Sequence, residues 1–285
     1  MAEISASDVK SLREKTGAGI LDCKKALTET GGDFEKAVKL LREKGLAAIE
    51  KRSGRATNEG KVFIKIKDDG SKAVLVELAS ETDFVARNPD FIALGGAIAS
   101  KALEKGYAEP NDELNGMVTE LATKIRENMS LKRIKTLEAG PNEFLTSYIH
   151  GDGAIGVVVK VTSDKSGIFK QDDAAGFAFT LALHIAAYNP MVLDREKVDA
   201  AWLKEQEEIF RKQMEQDEKM KGKPADALDK ILKGKVNKFL KDICLLDQGY
   251  VKDEKITVTQ AIADIGKQLG AKISVTDYVY FNVGA

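Results

Sequence analysis

Twice along its length this chain sets a pair of strand-forming runs around a tight, glycine-bearing turn and follows the pair with a helix of apolar period. In the first copy Val62, Ile64 and Ile66 alternate with lysines, Asp68-Asp69-Gly70 makes the turn, and Ala73-Val74-Leu75-Val76-Glu77-Leu78 returns. Period-two alternation marks a strand, and Asp-Gly between two such runs marks a hairpin. A helix opens at Asn88-Pro89 with Phe91, Leu94, Ile98 and Leu103 at helical spacing, a second lies between Asn111 and Asn128, and residues 133–139 suit a further strand. In the second copy residues 144–149 and 155–161 flank Gly151-Asp152-Gly153, and the following helix carries Ala174, Phe177, Leu181 and Ile185. Strands joined by so short a turn pair antiparallel. The repetition therefore predicts an α+β core of two related subdomains with antiparallel sheets.

Other elements attach to that core. Residues 5–52 read as three short helices: Ser5 and Asp8 have capping spacing, Thr16-Gly17-Ala18-Gly19 breaks the first, Gly31-Gly32 ends the second, and Asp33 opens the third. Glu50-Lys51-Arg52-Ser53-Gly54-Arg55 reads as a linker. Residues 194–219 are helical in composition, Gly222-Lys223-Pro224 interrupts them, and Leu228, Leu232, Val236 and Phe239 continue on a second helix, so an antiparallel helical hairpin is inserted in the second subdomain. Its apolar stripe is either satisfied within the hairpin or extended by a partner chain. Thr257 and Gln260 have capping-box spacing, and a last strand alternates through Ile273, Val275, Tyr278, Tyr280 and Phe281. The expected units are 1–54 (bundle), 55–140 (first subdomain), 141–190 with 233–285 (second subdomain) and 191–232 (hairpin).

Composition excludes several function classes. With 285 residues, 43% hydrophobic and 31% charged, the chain has the make-up of a globular protein with real cores. A net charge of −1 gives no electrostatic reason to bind nucleic acid or an anionic membrane directly. No apolar run approaches the roughly 18–20 residues that span a bilayer, and Met1-Ala2-Glu3-Ile4-Ser5 lacks the regions of a secretory signal. Cys23 and Cys244 stand far apart, so a reduced, cytoplasmic setting without a disulfide is expected.

One segment is unusual for its place. Glu81-Thr82-Asp83-Phe84-Val85-Ala86-Arg87-Asn88 joins the second strand to a helix, putting a carboxylate beside a phenyl ring on a rigidly held loop. Two readings stand: Asp83 caps a turn while Phe84 anchors the loop in the core, or Asp83 meets a cation or donor and Phe84 wedges into another protein's apolar slot. A second dense motif opens the chain, Leu12-Arg13-Glu14-Lys15-Thr16-Gly17-Ala18-Gly19-Ile20-Leu21-Asp22-Cys23-Lys24-Lys25-Ala26-Leu27.

Together these two motifs resemble the hallmarks of the bacterial elongation factor Ts family, in the same order, and the likeness extends over essentially the whole chain. The resemblance implies an N-terminal ubiquitin-associated-like fold for the bundle, and a nucleotide exchange factor for the translational GTPase elongation factor Tu. It implies that Thr82, Asp83, Phe84 and Val85 intrude near that partner's Mg²⁺ and phosphates. Arg13, Ile20, Leu21 and Lys24 match the family's surface against the partner's nucleotide-binding domain. His150, in Ser147-Tyr148-Ile149-His150-Gly151, resembles a histidine that reaches the partner, and Val251 one that lines a pocket for a partner helix. The hairpin resembles a dimerisation module, which leaves open a homodimer or a 2:2 complex. Some relatives carry a helical tail past the last strand; here its contact is expected to be absent or replaced.

Enzyme chemistry has little support in the residues. Gly17-Ala18-Gly19 with Lys24-Lys25 is a weak match to a phosphate-binding loop: no Ser or Thr follows the lysines and a helix precedes the glycines. The two histidines form no zinc spacing, and His184, inside an apolar helix, reads as a packed residue. Asp68-Asp69 and Asp172-Asp173 read as a turn and a helix start. No cofactor is implied. The rival to an exchange factor is a non-catalytic scaffold that binds other proteins through its bundle and hairpin.

Overall fold

A computed structural model describes residues 4–285. Three helices open the chain, α1 (Ala6–Thr16), α2 (Ile20–Glu29) and α3 (Phe34–Arg52). Leu12, Cys23, Ala26, Leu27 and Ala37 close a small core between them. Ser5 and Asp8 form a reciprocal capping box at α1. The third helix is not short: it runs for 19 residues to Arg52 because no proline or turn interrupts it before the linker.

The first subdomain follows as β1 (Glu59–Ile66), β2 (Lys72–Ser80), the single turn α4 (Asp83–Ala86), α5 (Pro89–Lys105), α6 (Asp112–Ile125) and β3 (Met129–Glu138). The second comprises β4 (Glu143–His150), β5 (Ile155–Ser163), α7 (Asp172–Tyr188), α8 (Ala200–Gln216), α9 (Ala225–Ile243), β6 (Gly249–Tyr250), β7 (Asp253–Thr257), α10 (Val258–Leu269) and β8 (Ile273–Asn282). The sheets are antiparallel, ordered β1-β2-β3 and β4-β5-β8, with β6-β7 a separate ribbon. The architecture is α+β, as the doubled pattern predicts.

Layering explains why the central strands are apolar throughout. Successive strand residues face opposite sides. On β2, Val74, Val76 and Leu78 pack under α5 and α6, whereas Ala73 and Leu75 face the other sheet. On β5, Val157, Val159 and Val161 pack under α7 and α10, while Val158 faces back. The two sheets thus meet across Val62, Leu75, Leu137, Leu145, Val158 and Phe281, with helices on both outer faces. A strand buried on both sides needs an unbroken apolar run. The exception is Glu77, 3% exposed on the inter-sheet side. It is neutralised by Arg133, whose guanidinium also lies 4.3 Å from the Phe281 ring and donates to the Asn282 carbonyl at 3.0 Å.

Three boundaries differ from the sequence reading. β3 begins at Met129 rather than 133, because Arg126 adopts a left-handed conformation (φ 68°) that stops α6 and lets Met129 and Leu131 enter the core. α9 runs unbroken to Ile243, so a hairpin ending at 232 would divide a helix; α9 ends only where Cys244 bridges to Val192. On β8 the register slips opposite Lys160 and Val161, leaving Thr276 unpaired, which shifts the alternation between Val275 and Tyr278. Within the hairpin, Trp202 and Phe210 pack on Phe239 at 5.7 and 5.5 Å, and Ile209 stays exposed. Cys23 and Cys244 are both free and buried, in separate clusters. Among the described residues no helix is long and apolar enough to cross a membrane.

Candidate partner-binding surface

β2 is clamped on both faces and ends at the fully buried Ser80, whose hydroxyl donates to the Thr82 carbonyl at 3.0 Å. Thr82 is extended (φ −128°), and its hydroxyl oxygen accepts from the Val85 N–H at 3.3 Å, so it caps α4. The same hydroxyl donates to the Glu127 carboxylate, 3.1 Å from each oxygen. Val85 and Ala86 turn into the first core. On so short a helix that leaves Phe84 facing outward, and it is 80% exposed. The core-anchor reading of Phe84 is therefore excluded: Val85 is the anchor. Asp83 meets Arg87 at 3.3 Å one turn on, with both side chains well exposed. An ion pair that wet adds little, so the carboxylate is free to trade it for another partner.

The N-terminal motif is built on the same logic. Gly17 ends α1 in the left-handed region (φ 66°), its N–H donating to the Arg13 carbonyl at 2.7 Å. Gly19 then starts α2, so Ile20 and Leu21 fall in the first turn. Cys23, Ala26 and Leu27 take the inward face, and Ile20 and Leu21 are left 55% and 73% exposed. Arg13 and Lys24 are exposed beside them. An open groove of about 490 Å³ runs over Arg13, Gly17, Ala18, Ile20, Leu21 and Arg126. Among the large apolar side chains described, Phe84 and Leu21 are the two most exposed.

Two consecutive residues tie these motifs together. Arg126 pairs with Asp22 on α2 at 2.7 Å, and Glu127 holds Thr82. Asn128 adds a third tie: its N–H donates to Glu81 at 2.6 Å and its amide to the Arg55 carbonyl at 2.8 Å. The Asn128 N–H, aided by Arg55, holds the Glu81 carboxyl below its usual range.

His150 ends β4, exposed, with its Nδ1 3.0 Å from the Tyr148 hydroxyl. The tip beyond it is left-handed at Gly151, Asp152 and Gly153 in succession. Lys61, 7% exposed on β1, anchors that tip through Asp152 Oδ2 at 2.7 Å. The Lys61 hydrogen bond and charge, and more weakly the charge of Arg87, hold the Asp152 carboxyl below its usual range. Arg87, whose charge bears weakly on Asp152, is the residue that pairs with Asp83. Val251 stands apart, half-buried on the second core. Its N–H donates to His184 Nδ1 at 3.2 Å, so the His184 proton sits on Nε2 and is given to Gln248 Oε1 at 3.0 Å. Burial lowers the His184 pKa, in keeping with this neutral form.

Sequence reasoning reached the exposed side chains and missed their supports: Arg126, Glu127, Asn128, Lys61 and the positioning of Val251 by His184. The signal was absent because the ties link residues 45 and 104 positions apart. Only the Arg-Glu-Asn run between a helix and a strand was visible.

The chain matches the family model described as Elongation factor TS over residues 81–285, a span that opens at the residue before Thr82. Curated relatives extend the likeness over the bundle. It is 47% identical to elongation factor Ts of Treponema denticola over 282 residues, 99% of each chain. It is 44% identical to that of Treponema pallidum (strain Nichols) over 291 residues, again 99% of each. Against elongation factor Ts of Clostridium acetobutylicum the identity is 41% over 292 residues, covering 99% of this chain and 92% of the relative.

Proposed function

The chain belongs to the elongation factor Ts family and is a translation elongation factor; from that premise we propose that it binds the GTPase elongation factor Tu in its GDP form and promotes GDP release, so that GTP can rebind. It does so without chemistry or a cofactor of its own. The observation that carries this reading is Phe84: a bare ring, 80% exposed, on a turn capped by Thr82 and rooted by Val85.

Exchange requires only differential binding. A factor that binds the empty GTPase more tightly than the GDP form must, by linkage, weaken GDP by the same ratio. Each tenfold takes about 1.4 kcal/mol, so a thousandfold effect needs about 4 kcal/mol, within reach of a few desolvated anchors. GTPases hold Mg²⁺ and phosphates with loops and helix ends, which a rigid aromatic wedge can displace. In this reading Phe84 is the wedge and Asp83 exchanges Arg87 for a group near the partner's Mg²⁺. Ile20 and Leu21, flanked by Arg13 and Lys24, grip the nucleotide-binding domain, while His150 and Val251 make outlying contacts. A homodimer or 2:2 assembly would use the hairpin face that bears Ile209.

The test is release of labelled GDP from purified elongation factor Tu with and without the chain. The wild-type chain accelerates release. Phe84→Ala forgoes burial of one ring, about 2 kcal/mol, and so lowers the maximal rate about thirtyfold, with a smaller change in complex affinity. Equal affinity of the chain for empty and GDP-loaded partner would sink the reading. A scaffold acting through its bundle predicts the reverse: deletion of residues 1–54 abolishes function and Phe84→Ala is silent.

A further inference from the structure

Three consecutive residues between α6 and β3 touch both motif segments of the candidate surface and the linker between them. Arg126 reaches α2 through Asp22 at 2.7 Å, an exposed pair that orients more than it stabilises, and its carbonyl accepts from Arg52 Nη1, at the end of α3, at 2.8 Å. Glu127 takes the Thr82 hydroxyl at the start of α4. Asn128, 8% exposed, binds the linker carbonyls of Ser53 and Arg55 at 3.3 and 2.8 Å and the Glu81 carboxylate through its N–H.

The backbone argues that this is more than the end of a helix. Arg126 holds φ 68°, a region glycine or asparagine enters with less strain. A helix that needed only to stop would do so better with glycine. Arginine places a guanidinium where it can meet Asp22. The geometry points to Arg126, Glu127 and Asn128 as a positioning clasp that sets the separation of the two exposed anchors, Ile20-Leu21 on α2 and Phe84 on α4, so that both engage one partner molecule together. This rests on the exchange reading. Residues 53–58 carry no helix or strand, and the bundle rests on the first subdomain through packing, with Ile49 of α3 against the first core and Gly45 close against Thr123 of α6. The clasp adds directional polar ties to that contact. Without those ties each anchor is held less firmly, and part of the advantage of pre-organisation is lost.

The full-length chain tests this with Glu127→Ala, its conservative counterpart Glu127→Gln, and Arg126→Gly. Arg126→Gly keeps the left-handed cap and deletes the side chain that carries the guanidinium. Two readouts are needed: the maximal rate and half-saturating concentration for GDP release from elongation factor Tu, and amide hydrogen exchange of the free chain over residues 20–24 and 82–88. Loss of a hydrogen bond to a charged acceptor predicts, for Glu127→Ala, about a tenfold lower maximal rate with less than about a threefold rise in half-saturating concentration. Faster exchange at 82–88 accompanies it. Glu127→Gln, which still accepts from Thr82, restores most of both. Arg126→Gly speeds exchange at 20–24. Unchanged amide exchange in Glu127→Ala and Arg126→Gly overturns the clasp, as does a Glu127→Ala rate equal to wild type. If the wild-type chain itself fails to accelerate GDP release, the exchange reading fails instead, and the amide data alone decide whether the clasp exists.

Discussion

The two subdomains leave their central strands in parallel ways and end with opposite surfaces. In the first, β2 closes on the buried Ser80 and a single helical turn presents Phe84 before Val85. In the second, β5 closes on the buried Ser163 and a short 3₁₀ turn presents Ile168 before Phe169. Each turn sinks an aliphatic anchor, Val85 at 5% (with Ala86 beside it) and Ile168 at 4% exposure. The order of aromatic and aliphatic is swapped, and that decides where the ring goes. Phe169 folds back to stack on Phe144, centroids 5.2 Å apart, whereas Phe84 points into solvent. An exposed ring is thus not a by-product of the architecture. The same layout in the second subdomain leaves its aromatic half-buried against another ring, a contrast that supports an external partner for Phe84.

The sharpest way to break this contrast is to delete each ring. Phe169→Ala removes half-buried stacked surface and should lower unfolding free energy by about 2 kcal/mol in a denaturant melt. Phe84→Ala should change it by less than about 0.5 kcal/mol, as for an exposed position. If the two losses are equal, the turns are equivalent anchors and the comparison fails. A smaller effect is expected from Thr82→Ala, which removes the cap of α4: about 1 kcal/mol by the same melt, with faster amide exchange confined to the turn after β2. Spread of that change to residues 164–171 would mean the two turns are coupled rather than independent. The smallest belongs to Asp83→Asn. The wet pair with Arg87 predicts under about 0.5 kcal/mol of stability, so any larger fall in GDP release than in stability assigns Asp83 to the partner.

Much of the architecture was legible because it follows local rules. The alternation at Val62, Ile64 and Ile66, the Asp-Gly turn, and the capping pairs Ser5/Asp8 and Thr257/Gln260 all act within a few residues, and each appears where its spacing places it. The candidate site was legible as a set of side chains, since an acid and a ring at a strand-to-helix turn stand out. Its exposure was not. Val85 rather than Phe84 enters the core because the strand's clamp and the Thr82 cap set the phase of α4, and a phase cannot be read from four residues. The start of β3 was misplaced for a related reason: Arg126 stops α6 in a conformation its residue type does not announce.

What the sequence determined by itself is the inventory: two hairpin-and-helix units, a helical head, an inserted helical pair, and two dense motifs far apart in the chain. These rest on short-range preferences of backbone and side chain. Tertiary structure alone decided that the motifs share one surface, because their link runs through Asp22–Arg126 and Thr82–Glu127. Such contacts between distant residues exist only once packing has fixed where each segment lies, and no local pattern in the chain carries their geometry.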